Sequence, residues 1–242
     1  MCGRYAVTSA PEAIRALFGY PEQPNFPPRY NVAPTQPIAI VRLIDGRRQF
    51  ALVRWGLLPS WVKDPNARGE SVLDKPAFSA AMKRRRCLVP ADGFYEWKAA
   101  RAGKQPYYVR AKSGKPLAFA GLWETWIGPN GEEMETAAIV TTRANRSIAD
   151  IHERMPVIVP PDAFDLWLDC ATVDDKTAAS LIAPAPDDLL EAYEVSTAVN
   201  RTANDNPQLI APNLGPTETP PAPQRTAARQ RVKKDDGQGV LF

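Results

Sequence analysis

The chain has 242 residues, of which 44% are hydrophobic and 24% are charged, so it can bury the core of one moderate globular domain. Its formal net charge of +3 is too small to indicate a nucleic-acid partner, and any DNA-binding surface must be a local patch. Three widely spaced cysteines and one histidine argue against a disulfide framework, a CxxC metal site and a histidine-rich metal centre.

The first half of the chain predicts a helix, a loop and a hairpin. Residues 11–30 are broken by prolines and charges, so they match neither a signal peptide nor a membrane span. The three widely spaced cysteines fit a reducing cytosol, so a cytoplasmic protein is expected. The predicted elements are a helix from a capping box at Ser9–Glu12 to Gly19, a proline-rich loop over 21–37, and strands over 37–43 and 48–55 around the Asp45-Gly46 turn.

The second half predicts mainly strands. The predicted strands cover 105–111, 116–126, 134–142 and 192–198, and a strand, turn and strand cover 87–97. The predicted helices are one over 77–85 and short ones over 146–151, 161–169 and 175–182. Strands joined mostly by hairpins predict an α+β domain around a largely antiparallel, partly closed sheet. Near residue 213 the composition becomes polar and proline-rich, which predicts a disordered tail over 213–242.

Cys2 directly follows the initiator methionine. A small residue at position 2 allows the methionine to be removed, and Cys2 would then carry a free α-amine and a thiol on adjacent carbons. Their reference pKa values, roughly 7.7–8.0 and about 8.5, leave part of each group nucleophilic near neutral pH. The alternative is a cysteine that only starts the first strand.

Four polar residues are candidates for chemistry. Glu96 lies among aromatic residues, where partial desolvation would raise its pKa and suit proton transfer, although an exposed strand position is the alternative. His152 is the only histidine, and such a residue can be purely structural. Asn66 and Arg68 follow a turn and could hold a sugar hydroxyl and a phosphate, or complete the turn.

Aromatic and basic residues are interleaved along the chain, a mixture with which proteins grip single-stranded nucleic acid. The set comprises Arg4, Arg29, Trp55, Trp61, Arg68 and the basic run 83–86. The alternatives are tryptophans that pack in the core and a solvated helix end at 83–86.

Seven motifs occur in a characteristic order: MCGRY at the start, RYNVAP (29–34), WGLLPSW (55–61), NARGES (66–71), KPAF (75–78), RRRCLVPADGFYEW (84–97) and IHERMP (151–156). Over roughly residues 2–212 the chain resembles the SRAP family, named for "SOS response-associated peptidase". The resemblance implies a β-barrel-like core flanked by short helices and a covalent bond between Cys2 and abasic sites in single-stranded DNA. NARGES departs from the family at Gly69 and Ser71, and Gly69 is expected to loosen the loop that aims Asn66 and Arg68.

The resemblance also implies a role for each matched residue. Glu96 would move protons during imine formation, His152 would assist sugar ring opening or reversal, and Asn66 would hold the sugar. The implied DNA contacts are Arg4 and Arg68 to phosphates, Trp61 as a stacking surface and Pro34 against the end of a neighbouring duplex. No metal or organic cofactor is needed. The location implied is the nucleoid or replication fork.

Other functions stay open at this point. They are a thiol peptidase whose Cys2 is released by autoproteolysis, a glutamine amidotransferase with an N-terminal cysteine, which the later motifs do not support, and a non-catalytic single-strand binder. Strand cleavage by β-elimination (AP lyase activity) is an expected side reaction. At the end of the chain, Gln238, Leu241 and Phe242 fit Q-x-x-L-F, which resembles the motif by which bacterial repair proteins dock on the sliding clamp.

Overall fold

A computed structural model describes residues 2–57, 65–101 and 103–213. Its strands are β1 (Tyr5–Val7), β2 (Arg29–Val32), β3 (Pro37–Ile44), β4 (Arg47–Trp55), β5 (Asn66–Arg68), β6 (Arg86–Ala91), β7 (Gly93–Ala100), β8 (Gly103–Ala111), β9 (Leu117–Ile127), β10 (Glu133–Arg143), β11 (Arg154–Pro156) and β12 (Leu190–Glu194). Its α-helices are α1 (Pro11–Phe18), α2 (Pro76–Arg84), α3 (Phe164–Leu168) and α4 (Asp175–Ala179). Short 3-10 helices cover Gly69–Ser71, Pro161–Ala163, Thr197–Asn200 and Pro207–Ile210.

Five strands close into a barrel. The order is β10-β4-β3-β6-β9, and β9 pairs back with β10. The β10–β4 pairing is parallel and the other four are antiparallel. β5 and β11 add to β10 outside this ring. The sequence prediction of an α+β fold with a largely antiparallel, barrel-like core and short helices is confirmed.

A second, antiparallel sheet has the order β12-β8-β7-β1-β2. Aromatic rings join it to the barrel: Tyr5 of β1 meets Trp55 of β4 edge to face at 5.4 Å between centroids, and Phe94 of β7 meets Phe119 of β9 at 5.9 Å. All four residues are buried, and such pairs contribute roughly 0.5–1.5 kcal/mol beyond their area. This packing fixes β1, and with it the position of Cys2.

Three local predictions are wrong. Residues 146–151 form hydrogen-bonded turns rather than a helix, and β12 ends at Glu194 instead of continuing to 198. The capping box does not form, because α1 starts after Ala10 without a side-chain cap. The hydroxyl and amide of Ser9 donate instead to the carboxylate of Asp92, a partner that only the tertiary fold supplies.

Two of the predicted turns do not make hairpins. β6 and β7 are separated by Asp92 alone, yet one enters the barrel and the other the second sheet. β8 and β9 flank the Ser113-Gly114 turn, and they also belong to different sheets: β8 to the second sheet and β9 to the barrel. β2 and β5 were not predicted. Within the described ranges, no helix has the length and apolar character needed to cross a membrane.

Candidate functional site

The first part of the site is a chain of contacts from Trp55 to Cys2. Asn66, in β5, is buried, and its side-chain Nδ2 donates to the carbonyl oxygen of Cys2 at 2.7 Å. Its Oδ1 accepts a hydrogen bond of 3.1 Å from Nε1 of Trp55 at the end of β4. The indole is only a donor, so it fixes which end of the Asn66 amide faces Cys2.

The second part is a pair formed by Glu96 and His152. Glu96 of β7 is 2% exposed, and its Oε2 lies 3.8 Å from Nε2 of His152. Nδ1 of His152 accepts the backbone N–H of Arg154 at 2.9 Å, so a neutral ring carries its proton on Nε2, toward Glu96. Burial raises the pKa of Glu96 to about 7 and lowers the pKa of His152. The Glu96 carboxyl can therefore exchange protons near neutral pH.

The Cys2 thiol is fully buried. Burial raises its pKa well above the ordinary value, and the negative charge of Glu96 raises that pKa further. The thiol is therefore neutral at physiological pH. The coupling also means that Glu96 lies within electrostatic reach of Cys2.

A cleft of roughly 380 Å³ opens beside this pair and gives access to it from solvent. Its lining residues are Arg4, Glu96, Trp97, Lys104, His152 and Asn200. The Arg4 guanidinium donates to Oδ1 of Asn31 and to the backbone carbonyls of Val199 and Asn200, at 2.9, 2.7 and 3.3 Å. Arg4 is thereby held at the wall of the cleft.

The other predicted contacts lie elsewhere. Arg68 is exposed on β5, two residues from Asn66, and Pro34 is half-buried between β2 and β3. Trp61, Gln238, Leu241 and Phe242 lie outside the described residues.

The basic run 83–86 is not a uniform cationic patch. Arg86 is buried and donates to four backbone carbonyl oxygens, and Arg85 forms a salt bridge with Glu124. Only Lys83 and Arg84 are exposed in this run.

The sequence did not predict the ion pair that Glu70 forms with Arg154, two residues after His152 in the chain. Arg154 is buried, pairs with both carboxylate oxygens of Glu70 at 2.7 and 3.0 Å, and also donates to Thr141. Arg154 and Glu70 belong to the IHERMP and NARGES motifs, and their opposite charges were the available signal. Trp97 ends the motif 84–97 but was given no role, and Lys104 and Asn200 carried no local signal, because distant segments build the cleft.

Gly69 has a packing role that its sequence context did not indicate. A Cβ at this position would lie 2.2 Å from Cγ2 of Ile182 and 3.1 Å from the carbonyl oxygen of Thr141. The space that a side chain would take is filled by Ile182. Gly69 thus permits close packing directly after β5, the strand that carries Arg68.

Comparison with known proteins gives relatives along most of the chain. "Abasic site processing protein YoqW" from Bacillus subtilis (strain 168) is 38% identical over 221 residues, covering 87% of this chain and 99% of its own. "Abasic site processing protein HMCES" from Xenopus tropicalis is 32% identical over 263 residues, covering 87% and 78% respectively.

Solved structures agree with the fold. A protein from Bacteroides thetaiotaomicron aligns with a TM-score of 0.78 at 26% identity, over 87% of this chain and 99% of that one. A phage-related protein from Bordetella bronchiseptica aligns with a TM-score of 0.66 at 36% identity, over 80% and 94%. The family described as "SOS response associated peptidase (SRAP)" matches residues 1–202. Because this match spans most of the chain, the protein belongs to the SRAP family.

Proposed function

We propose that this protein processes abasic sites in single-stranded DNA by crosslinking to them through Cys2, which shields them during the DNA damage response. The observation that carries the proposal is the Asn66 hydrogen bond to the Cys2 carbonyl beside Glu96, a carboxyl with a pKa of about 7. The names of the relatives from Bacillus subtilis and Xenopus tropicalis support the substrate.

The chemistry follows from an aminothiol meeting an aldehyde. After removal of Met1, the α-amine of Cys2 adds to the aldehyde of the ring-opened abasic sugar, and the carbinolamine loses water to give an imine. The thiol then adds to the carbon of the protonated imine and gives up its proton to a base, which closes a neutral five-membered thiazolidine. The net reaction releases one water. Proximity makes the last step effectively intramolecular.

Glu96 and His152 supply the proton transfers. Glu96 in its acid form protonates the carbinolamine hydroxyl as it leaves, and as a carboxylate it accepts the thiol proton during ring closure. His152 presents Nε2–H toward Glu96 and assists opening of the sugar ring or reversal of the adduct. Asn66 fixes Cys2 and holds the sugar. β-Elimination from the imine is the competing AP lyase reaction, and ring closure onto the thiol suppresses it.

We assign the DNA contacts to exposed or preorganised groups. Arg4, already held by Asn31, and the exposed Arg68 contact phosphates, and Trp61 stacks on a base. Pro34 abuts duplex at a single-strand/double-strand junction.

The test is covalent capture of single-stranded DNA that contains one abasic site, scored on a denaturing gel. Wild type and Cys170→Ser should both form the adduct, because Cys170 lies outside the site. Cys2→Ser should form no adduct that survives denaturant. Capture by Cys2→Ser, or no capture by wild type, would reject the proposal. A peptidase function would instead show as Cys2-dependent cleavage of protein substrates.

We also propose that residues 238–242 recruit the protein to the bacterial sliding clamp. Leu241 and Phe242 are apolar anchors in an apolar ending that follows a largely polar tail, and Gln238 supplies an amide. A peptide of residues 230–242 should bind purified clamp in a polarisation titration, and its Leu241→Ala, Phe242→Ala version should not. Equal binding by both peptides, or none by the natural one, would reject clamp recruitment.

A further inference from the structure

Lys104 lines the cleft, and its ammonium has no partner among the residues that the structure describes. It is exposed near the start of β8, opposite Ala99 of β7, and lines the cleft with Glu96 and His152. The structure gives its ammonium no hydrogen bond or ion pair with the described residues. Arg4, at the same cleft, already donates three hydrogen bonds within the protein.

The charge of Lys104 acts on both titratable groups of the cleft. It lowers the pKa of Glu96 and the pKa of His152, although burial dominates both shifts. Lys104 is therefore within electrostatic reach of the groups that we assign to proton transfer. A lysine side chain in solvent loses rotational freedom about several bonds when it binds a ligand. A net gain in binding free energy therefore requires a partner of strong negative charge.

We infer that the Lys104 ammonium binds one phosphate flanking the abasic sugar while that sugar occupies the cleft beside Glu96 and His152. The inference rests on the proposed function, because it takes the abasic sugar as the occupant of the cleft. Three donors on a compact point charge suit a phosphate whose angle of approach changes as the sugar ring opens. Lys104 is thus a positioning residue for the sugar, and it takes no part in proton transfer.

The test measures binding of single-stranded DNA that carries a tetrahydrofuran abasic analogue, which has no aldehyde and cannot form the adduct. Affinity is measured over a range of salt concentrations for wild type, Lys104→Ala, Lys104→Arg and the control Lys115→Ala. Lys115 is exposed beyond the other end of β8. Lys104→Ala should lower the slope of log affinity against log salt by about 0.7, the value for one single-strand phosphate. Lys104→Arg and Lys115→Ala should keep the wild-type slope.

A second measurement identifies the phosphate. Each phosphate within two nucleotides of the analogue is replaced in turn by a neutral methylphosphonate. At one position the replacement should remove the affinity difference between wild type and Lys104→Ala. Unchanged slope in Lys104→Ala, a difference that persists at every position, or no binding by wild type would overturn the inference. Wild type that binds the analogue but forms no adduct with true abasic DNA would instead reject the proposed function, and the Lys104 result would stand.

Discussion

The side-chain amide of Asn66 donates a 2.7 Å hydrogen bond to the carbonyl oxygen of Cys2, and its own carbonyl accepts the indole N–H of Trp55. Asn66 lies in β5, which is held parallel to β10, and Trp55 lies at the end of β4 in the barrel. The barrel strands β4 and β10 thus position Asn66 against the Cys2 carbonyl, although Cys2 itself precedes the second sheet.

Replacing Asn66 should slow the chemistry more than it weakens DNA binding. Asn66→Ala leaves the Cys2 carbonyl without this donor, so the amine is no longer held in one orientation, and a hydrogen bond of this kind is worth about 1 kcal/mol. We expect adduct formation at saturating DNA to slow about 5- to 10-fold. Asn145→Ala is the control, since Asn145 is also a buried amide that donates to backbone carbonyls, away from Cys2. Equal rates for the two variants would contradict the role of Asn66.

Replacing Glu96 should remove the pH dependence of adduct formation. With a pKa of about 7, Glu96 is mostly the acid below neutrality and mostly the carboxylate above it. Glu96→Gln keeps the shape but transfers no proton, so we expect a rate about 10²–10⁴-fold lower and no inflection near pH 7. The rate of adduct formation is measured on quenched aliquots at pH values from about 5 to 9, roughly the range in which such groups titrate. Glu124→Gln, whose carboxylate pairs with Arg85, should behave as wild type. An unaltered inflection in Glu96→Gln would assign it to another group.

The same carboxyl should make wild-type stability fall as pH rises. The folded pKa of Glu96, about 7, is above the unfolded value of about 4.3, so its contribution is complete below the unfolded pKa and is lost as pH rises through 7. Linkage gives a relative loss of about 2–3 kcal/mol between pH 5 and pH 8. In urea unfolding, the free energy of unfolding of Glu96→Gln relative to wild type should be higher at pH 8 than at pH 5. A difference that does not vary with pH would show that the folded pKa is unshifted.

Adding a side chain at Gly69 should destabilise the domain through Ile182. The new Cβ would lie 2.2 Å from Cγ2 of Ile182, and overpacking of this kind costs about 1–3 kcal/mol. We expect Gly69→Ala to lower the melting temperature and Ile182→Ala in the same chain to recover most of the loss. Additive losses in the double variant would show that the two positions are not coupled.

The sequence alone predicted those elements whose conformation depends on residues that are neighbours in the chain. Asp45 and Gly46 both take left-handed conformations, with φ of 49° and 72°, and make the predicted hairpin between β3 and β4. Cys2 and Glu96 stood out because their chemistry is unusual for their context. Hydrogen-bond partners far away in the sequence could not be predicted. The Ser9 hydroxyl donates to Asp92 instead of capping α1, and the indole of Trp55 orients Asn66.

The cleft shows the same limit. Lys104 and Asn200 are far apart in sequence, and only the pairing of β7 with β8 and the short helix Thr197–Asn200 bring them to one cleft. β5 has three residues, and its strand conformation depends on parallel pairing with β10 rather than on its own composition. The sequence therefore predicted candidate reactive residues, but it could not predict the walls of the cleft beside them.

The central claim is that Cys2 condenses with an abasic aldehyde, and the most direct measurement is the intact mass of the protein before and after incubation with abasic single-stranded DNA. The account predicts a protein that lacks Met1 and an adduct whose mass is protein plus DNA minus one water, stable to denaturant. A variant with one extra residue ahead of Cys2 should give no adduct, because its Cys2 nitrogen is an amide. A retained Met1, an unchanged mass, or the same adduct from the extended variant would contradict the account.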